Sequence, residues 1–244
     1  MNSRLKSIIL ALAVPVAFLF ANPQPLMVVP AKSVIALAFE KESDVSKKWM
    51  SFRKETTFKV EDGYLHVIPP VVANAGIESE SKWGDSDFAR AGLIGLPKDY
   101  VCKFRLNCIK PTDTRLREKG LIYFDLGHRV IRTTFSRKGT TLLLENHLMG
   151  RDAEVSSKVL QEAPGLTLKY DKWYDVMAEV KGDEVVIQIG DKVLYGRDSL
   201  IAGDRYDTFN FDANGAGFLI DDLEVRRAGG FQASWAAIRV SLGK

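Results

Sequence analysis

The chain is 244 residues long, 46% hydrophobic and 27% charged, with 13 Phe, 7 Tyr and 4 Trp. This excludes a disordered, collagen-like or low-complexity chain and leaves room for one large β domain or two small domains. Lys and Arg number 34 against 31 acidic residues, a formal charge of +3 that falls to +1 if Arg4 and Lys6 leave with a leader, so nucleic-acid binding lacks electrostatic support and none is expected.

Arg4 and Lys6 precede an apolar run from Ile8 to Phe20, interrupted only by Pro15 and ended by Asn22-Pro23-Gln24-Pro25. The run is shorter than the about 20 residues a spanning helix needs, and the layout is that of a signal peptide. The expectation is a secreted or periplasmic protein with no membrane span after cleavage; an uncleaved anchor is the alternative. Ala21 and Ala31 are the candidate cleavage sites, with Ala36-Leu37-Ala38 a later option. Residues 1–31 are assigned to the signal peptide and leader, 39–227 to a β-sandwich and 228–244 to a C-terminal tail. No Cys follows the apolar run to carry a lipid anchor.

Period-2 alternation recurs from about residue 56 to 227 without a sustained helical period, which predicts an all-β domain. Thr56–Val60 and Tyr64–Ile68 flank the turn Glu61-Asp62-Gly63. In the next run, Asp99–Ile109, Cys102, Phe104, Leu106 and Cys108 share one face. Six residues of strand separate the two Cys by about 20 Å, beyond the about 7 Å that a disulfide spans, so two buried free thiols are expected. Leu121–Asp125, Arg129–Phe135 and Thr140–His147 form three further runs, and the polar stretch Met149–Pro164 reads as a long loop. Trp173–Val180 and Val185–Ile189 form a hairpin with Val176, Ala178, Val180, Val185, Ile187 and Ile189 facing the core. Asp191–Tyr195, Phe209–Phe211 and Gly217–Val225 complete the strands, and Phe231–Leu242 allows one short helix with Ser234 as N-cap and Trp235 and Ile238 turned inward. Eight or more antiparallel strands favour a two-sheet jelly roll, with Trp49 and Trp173 in its core.

Several segments carry a family resemblance. They are Phe39–Trp49, Phe58-Lys-Val-Glu-Asp-Gly-Tyr-Leu65, Asp99-Tyr-Val-Cys-Lys-Phe-Arg105, Gly127-His128, Lys172-Trp-Tyr-Asp-Val176, Val180-Lys-Gly-Asp-Glu-Val185 and Phe218-Leu-Ile-Asp-Asp-Leu-Glu-Val225. In this order they resemble the secreted bacterial concanavalin A-like domains of the 3-keto-disaccharide hydrolase and family 16 glycoside hydrolase-like group. The resemblance spans about 39–227 and implies a concanavalin A-like sandwich in a carbohydrate context. The Glu-x-Asp-x-x-Glu strand of family 16 catalysis is absent, which lowers the enzymatic reading.

The polar positions of the middle strands supply the candidate site. Tyr123 and Asp125 alternate with Ile122 and Phe124, Arg132 and Thr134 with Ile131 and Phe135, and Glu145 and His147 with Leu142 and Leu144. If the three strands are neighbours, Tyr123, Asp125, His128, Arg132, Glu145 and His147 meet in one exposed groove, where a Tyr face and bidentate hydrogen bonds would hold a sugar. A solvated face of cross-strand ion pairs is the alternative. Trp83, in a Gly- and Asp-rich loop, is a candidate stacking platform. The first functional reading is a domain that binds or processes a poly- or oligosaccharide, with Tyr123, Arg132, His147 and Trp83 as ligand contacts. The second is a glycoside hydrolase using Asp125 or Glu145 as acid/base with His128 or His147 assisting, and the third a non-catalytic envelope or protein-interaction domain. No metal site or cofactor is assigned; a calcium ion held by Asp221 or Asp222 with backbone carbonyls is the alternative.

Overall fold

A computed structural model describes residues 23–41, 45, 49–51, 57–68, 88–110, 122–127, 131–136, 139–146, 156–203, 207–214 and 217–243. Among them the strands run in chain order as β1 (Val28–Leu37), β2 (Trp49–Ser51), β3 (Thr57–Glu61), β4 (Tyr64–Ile68), β5 (Phe88–Ile94), β6 (Tyr100–Cys108), β7 (Ile122–Leu126), β8 (Ile131–Ser136), β9 (Gly139–Asn146), β10 (Ser156–Pro164), β11 (Trp173–Lys181), β12 (Glu184–Ile189), β13 (Lys192–Arg197), β14 (Thr208–Asn214) and β15 (Phe218–Phe231), followed by helix α1 (Trp235–Leu242). The first sheet has the order β13-β12-β11-β6-β15-β4-β3, with β1 joined to β15; the second has β10-β9-β8-β7-β14-β5-β2. The strand pairings are antiparallel, and the two sheets form the expected all-β sandwich.

Alternation in the sequence builds the core between the sheets. Val176, Ala178 and Val180 pair with Ile189, Ile187 and Val185, and all six are buried as expected. Phe104 of β6 meets Phe124, Phe209 and Phe211 of the facing sheet edge-on, at ring separations of 6.0, 5.5 and 5.1 Å. Such aromatic geometry adds to the area each ring removes from water. Between β3 and β4, Asp62 and Gly63 both take positive φ, 55° and 79°. That is the twist a two-residue hairpin turn requires. Cys102 and Cys108 lie on the single strand β6 as buried free thiols.

The structure departs from the sequence reading in five places. The stretch expected to be loop up to Pro164 contains β10, an edge strand whose polar residues conceal its period. Strand β5 was not anticipated, whereas β2 opens at Trp49, a residue that reads as a strand entry. Strand β1 begins at Val28, inside the segment assigned to the leader, and β15 runs six residues past Val225, into the assigned tail. A bulge at Asp222, whose φ is 48°, divides β15 so that Phe218–Ile220 pair with β4 and the later part with β1. Trp49 is buried beside Phe39 and Phe211, but Trp173 lies outside the core. It shares its face with Met177 and Glu179 and stacks on Tyr64 and Arg105.

The outward face of the first sheet is covered as well. A second apolar cluster joins Leu26, Met27 and Val28 to Val101, Met177, Val186 and Trp235, with Ile238 packed against it. Helix α1 therefore docks through Trp235 and Ile238 as expected, although Ser234 makes no side-chain capping bond. Glu184 holds the helix in place: its carboxylate accepts from Trp235 Nε1 at 3.1 Å, Tyr195 Oη at 2.7 Å and Arg239 Nη1 at 3.2 Å.

Candidate functional site

Strands β7, β8 and β9 are neighbours, so the middle runs do share one sheet. Ile122, Phe124, Leu126, Ile131 and Phe135 enter the core, which turns Tyr123, Asp125, Arg132 and Thr134 to the other face. Asp125 and Arg132 are direct cross-strand partners. Arg132 Nε donates to Asp125 Oδ1 at 2.7 Å and Nη2 to Oδ2 at 3.0 Å, a bidentate pair, while its guanidinium carbon lies 4.4 Å from the centre of the Tyr123 ring. The Tyr, Arg and Asp side chains thus form one stack that fixes the guanidinium plane.

The other flank of β7 adds two residues the sequence reading passed over. Strand β14 sets Asn210 opposite Asp125 and Asp212 opposite Tyr123. The signal was present in Phe209-Asn210-Phe211-Asp212-Ala213, whose alternation sends the aromatic residues inward and the polar ones outward; Asn210 lay inside the short run Phe209–Phe211, and ending that run at Phe211 hid Asp212. Gly92 of β5 pairs with Asn210 from the far side and presents no side chain.

The expected exposed groove is corrected by burial. Asp125 and Asp212 are fully buried, Asn210 is 5% exposed, and the Arg132 side chain is only 18% exposed. A buried carboxylate costs several kcal/mol unless it is paired and hydrogen-bonded, and for Asp125 the Arg132 fork meets that requirement. The amide oxygen of Asn210 is different. It is buried and accepts no hydrogen bond among the described residues, which leaves an acceptor beside the Asp125–Arg132 pair.

Glu145 lies on β9 opposite Ser157, two positions beyond the residue that pairs with Arg132. Its side chain, and His128, His147 and Trp83, lie outside the described residues. Asp221 accepts from Arg105 Nη1 at 2.9 Å and from the Asp222 amide at 2.8 Å. It thereby ties β15 to β6, and burial raises its pKa. Among the described residues no group of three or more His, Cys, Asp or Glu is placed to hold a metal ion, and no helix is long and apolar enough to cross a membrane.

A scan against protein-family models and a search of curated proteins find no match. Solved structures do match. A galectin-like protein of unknown function from Bacillus subtilis is 11% identical and superimposes with a TM-score of 0.53 over 84% of this chain and 100% of its own. The chain has a galectin-like β-sandwich fold. A LamA variant from Z. galactanivorans, in complex with laminaritriose and laminaritetraose, is 12% identical with a TM-score of 0.53 over 82% of this chain and 100% of that one. A structure described with endo-acting O-glycanases of the human gut microbiota that initiate mucin breakdown gives 12% and 0.53 over 81% and 100%.

Proposed function

We propose that this chain is an exported carbohydrate-binding sandwich module that takes a neutral glycan on the outer face of its second sheet. The observation that carries the reading is the buried amide oxygen of Asn210, without a donor among the described residues, beside the Tyr123–Arg132–Asp125 stack. Once the side chains that cover it move aside, this acceptor would take a sugar hydroxyl, while the Arg132 fork and the Tyr123 ring fix the shape of the site. Neutral sugar is favoured over acidic sugar because Arg132 is already matched by Asp125, and Asp212 places a second carboxylate on the same face. Export rests on the leader, and the carbohydrate class is supported by the company of the fold, which includes glycan-binding and glycan-cleaving proteins. The narrower kinship with 3-keto-disaccharide hydrolases rests on the motifs quoted above. Binding is favoured over hydrolysis because both Asp125 oxygens are engaged by Arg132, whereas an acid or base must exchange its proton with the substrate. Glu145, His128, His147 and Trp83 are the further ligand contacts proposed from the sequence.

A glycan array probed with the exported protein, with and without added calcium, tests the reading. Neutral oligosaccharides are expected to bind, and Asn210→Ala is expected to weaken the selected ligand at least tenfold in isothermal titration, about 1.4 kcal/mol, with the melting temperature held. Calcium-dependent binding would place an ion in the site. An array without binders, or an Asn210→Ala protein that titrates like wild type, would overturn the assignment. Reducing ends released from the bound glycan, and lost in Glu145→Gln, would convert the module into a hydrolase.

A further inference from the structure

The outer face of the first sheet contains a receptor for the chain's own N-terminal segment. Glu179 points away from the sandwich core, yet it is fully buried. Its Oε1 accepts from the Leu26 amide at 2.8 Å, and its Oε2 from the Met27 and Val28 amides at 2.9 Å each. Gln188 Nε2 donates to the Gln24 carbonyl at 2.8 Å, and the Gln232 amide donates to the Met27 carbonyl at 2.9 Å. Met27 and Val28 are wholly buried among Val101, Met177, Val186 and Trp235. Residues 24–28 therefore form a strap clamped by one carboxylate, and β1 continues from it along β15 as far as Leu37.

This clamp discriminates between the candidate processing sites. Cleavage after Ala31 would remove all three amide donors of Glu179 and the pairing of Pro30 with Ala228, leaving a buried carboxylate with only the long 3.4 Å contact from Gln188 Nε2. Cleavage after Ala38 would also remove Ile35 from the main core. Cleavage after Ala21 leaves every one of these contacts intact. Resting on the export reading, we infer that the leader is removed between Ala21 and Asn22 and that Glu179 is the docking site for the segment this cut leaves at the start of the mature chain.

The intact mass of the exported protein tests the position of the cut. A chain beginning at Asn22 is expected. An exported chain beginning at Lys32 or Phe39 would overturn the inference and leave export standing, whereas a chain that retains residues 1–20 in the cell would overturn both. Hydrogen exchange on the full chain tests the clamp. In Glu179→Gln, which replaces one acceptor oxygen by a donor, the Leu26, Met27 and Val28 amides are expected to exchange at least tenfold faster, while the Val185–Ile189 amides keep their protection. Strap amides that exchange at the wild-type rate in this variant would overturn the docking role of Glu179.

Discussion

Glu179 and Asp125 are fully buried carboxylates on opposite outer faces of the sandwich, and they are matched in different ways. Glu179 is saturated by backbone amides from more than 150 residues earlier in the chain, and Glu184 nearby by Tyr195, Trp235 and Arg239. Asp125 is met by the fork of Arg132, its neighbour on the adjacent strand, and next to it the Asn210 oxygen still lacks a donor among the described residues. On the first sheet the strap and the helix satisfy Glu179 and Glu184 from within the fold, although the Asn107 oxygen on the same sheet lacks a partner among the described residues, as the Asn210 oxygen does on the second.

Four experiments would break or sharpen this contrast. The largest effect is expected beneath both faces, at Val180, which is buried between Tyr100 and Val185. Val180→Asp places a charge in the core with no partner and is expected to abolish the cooperative thermal transition followed by circular dichroism.

Arg132→Ala comes next. The exposed groove expected from the sequence would have made it harmless to stability, whereas burial of Asp125 makes it costly, by about 3–5 kcal/mol in urea denaturation. Adding Asp125→Asn to the same chain should recover much of that loss, because the orphaned charge is removed; a double variant no more stable than the single one would argue against the pair as the cause.

Glu179→Gln is expected to cost about 1–3 kcal/mol near neutral pH, since strap amides then face a donor. Its pH dependence has a defined sign. Burial raises the Glu179 pKa above its ordinary value of 4.5, while the strap amides and Gln188 pull it partly back. A carboxyl whose folded pKa is raised binds its proton more tightly in the native state. Its contribution is therefore most favourable below the ordinary value and declines as pH rises through the folded one. The stability gap between wild type and Glu179→Gln should accordingly narrow with rising pH, and a gap that widens would reverse the assignment.

Arg105→Ala should have the smallest effect. Its pair with Asp221 is formed by a side chain 35% exposed, so a loss of under about 1 kcal/mol is expected by the same denaturation measurement.

Much of the sandwich was legible because its core strands alternate cleanly. The Val176–Ile189 hairpin, the β3–β4 turn and the order of β7, β8 and β9 all follow from local pattern. Strand β1 was hidden because Leu26–Pro30 continues the apolar character of the leader, and β10 because its polar residues occupy a sheet edge. Glu179 alternates with core residues as any solvated strand residue would, and the amides that bury it come from a segment more than 150 residues away. At the candidate site, alternation placed Tyr123, Asp125 and Arg132 on one face but carried no information on burial; Asp212 was lost by ending β14 early, and Asn210, although inside the run, sits on a separate strand with no local signal tying it to Asp125.

The location of the strap and of helix α1 also governs how this molecule can be attached to something else. Both dock on the back of the first sheet, through Glu179 and Glu184, while Asn210 and Arg132 belong to the front of the second. A linker continuing from α1, or one joined ahead of the strap, departs from the side away from the polar face. A sensor chip coupled through such a linker would hold the molecule with its Asn210 face toward the flowing sample, whereas coupling through scattered surface lysines would orient it at random.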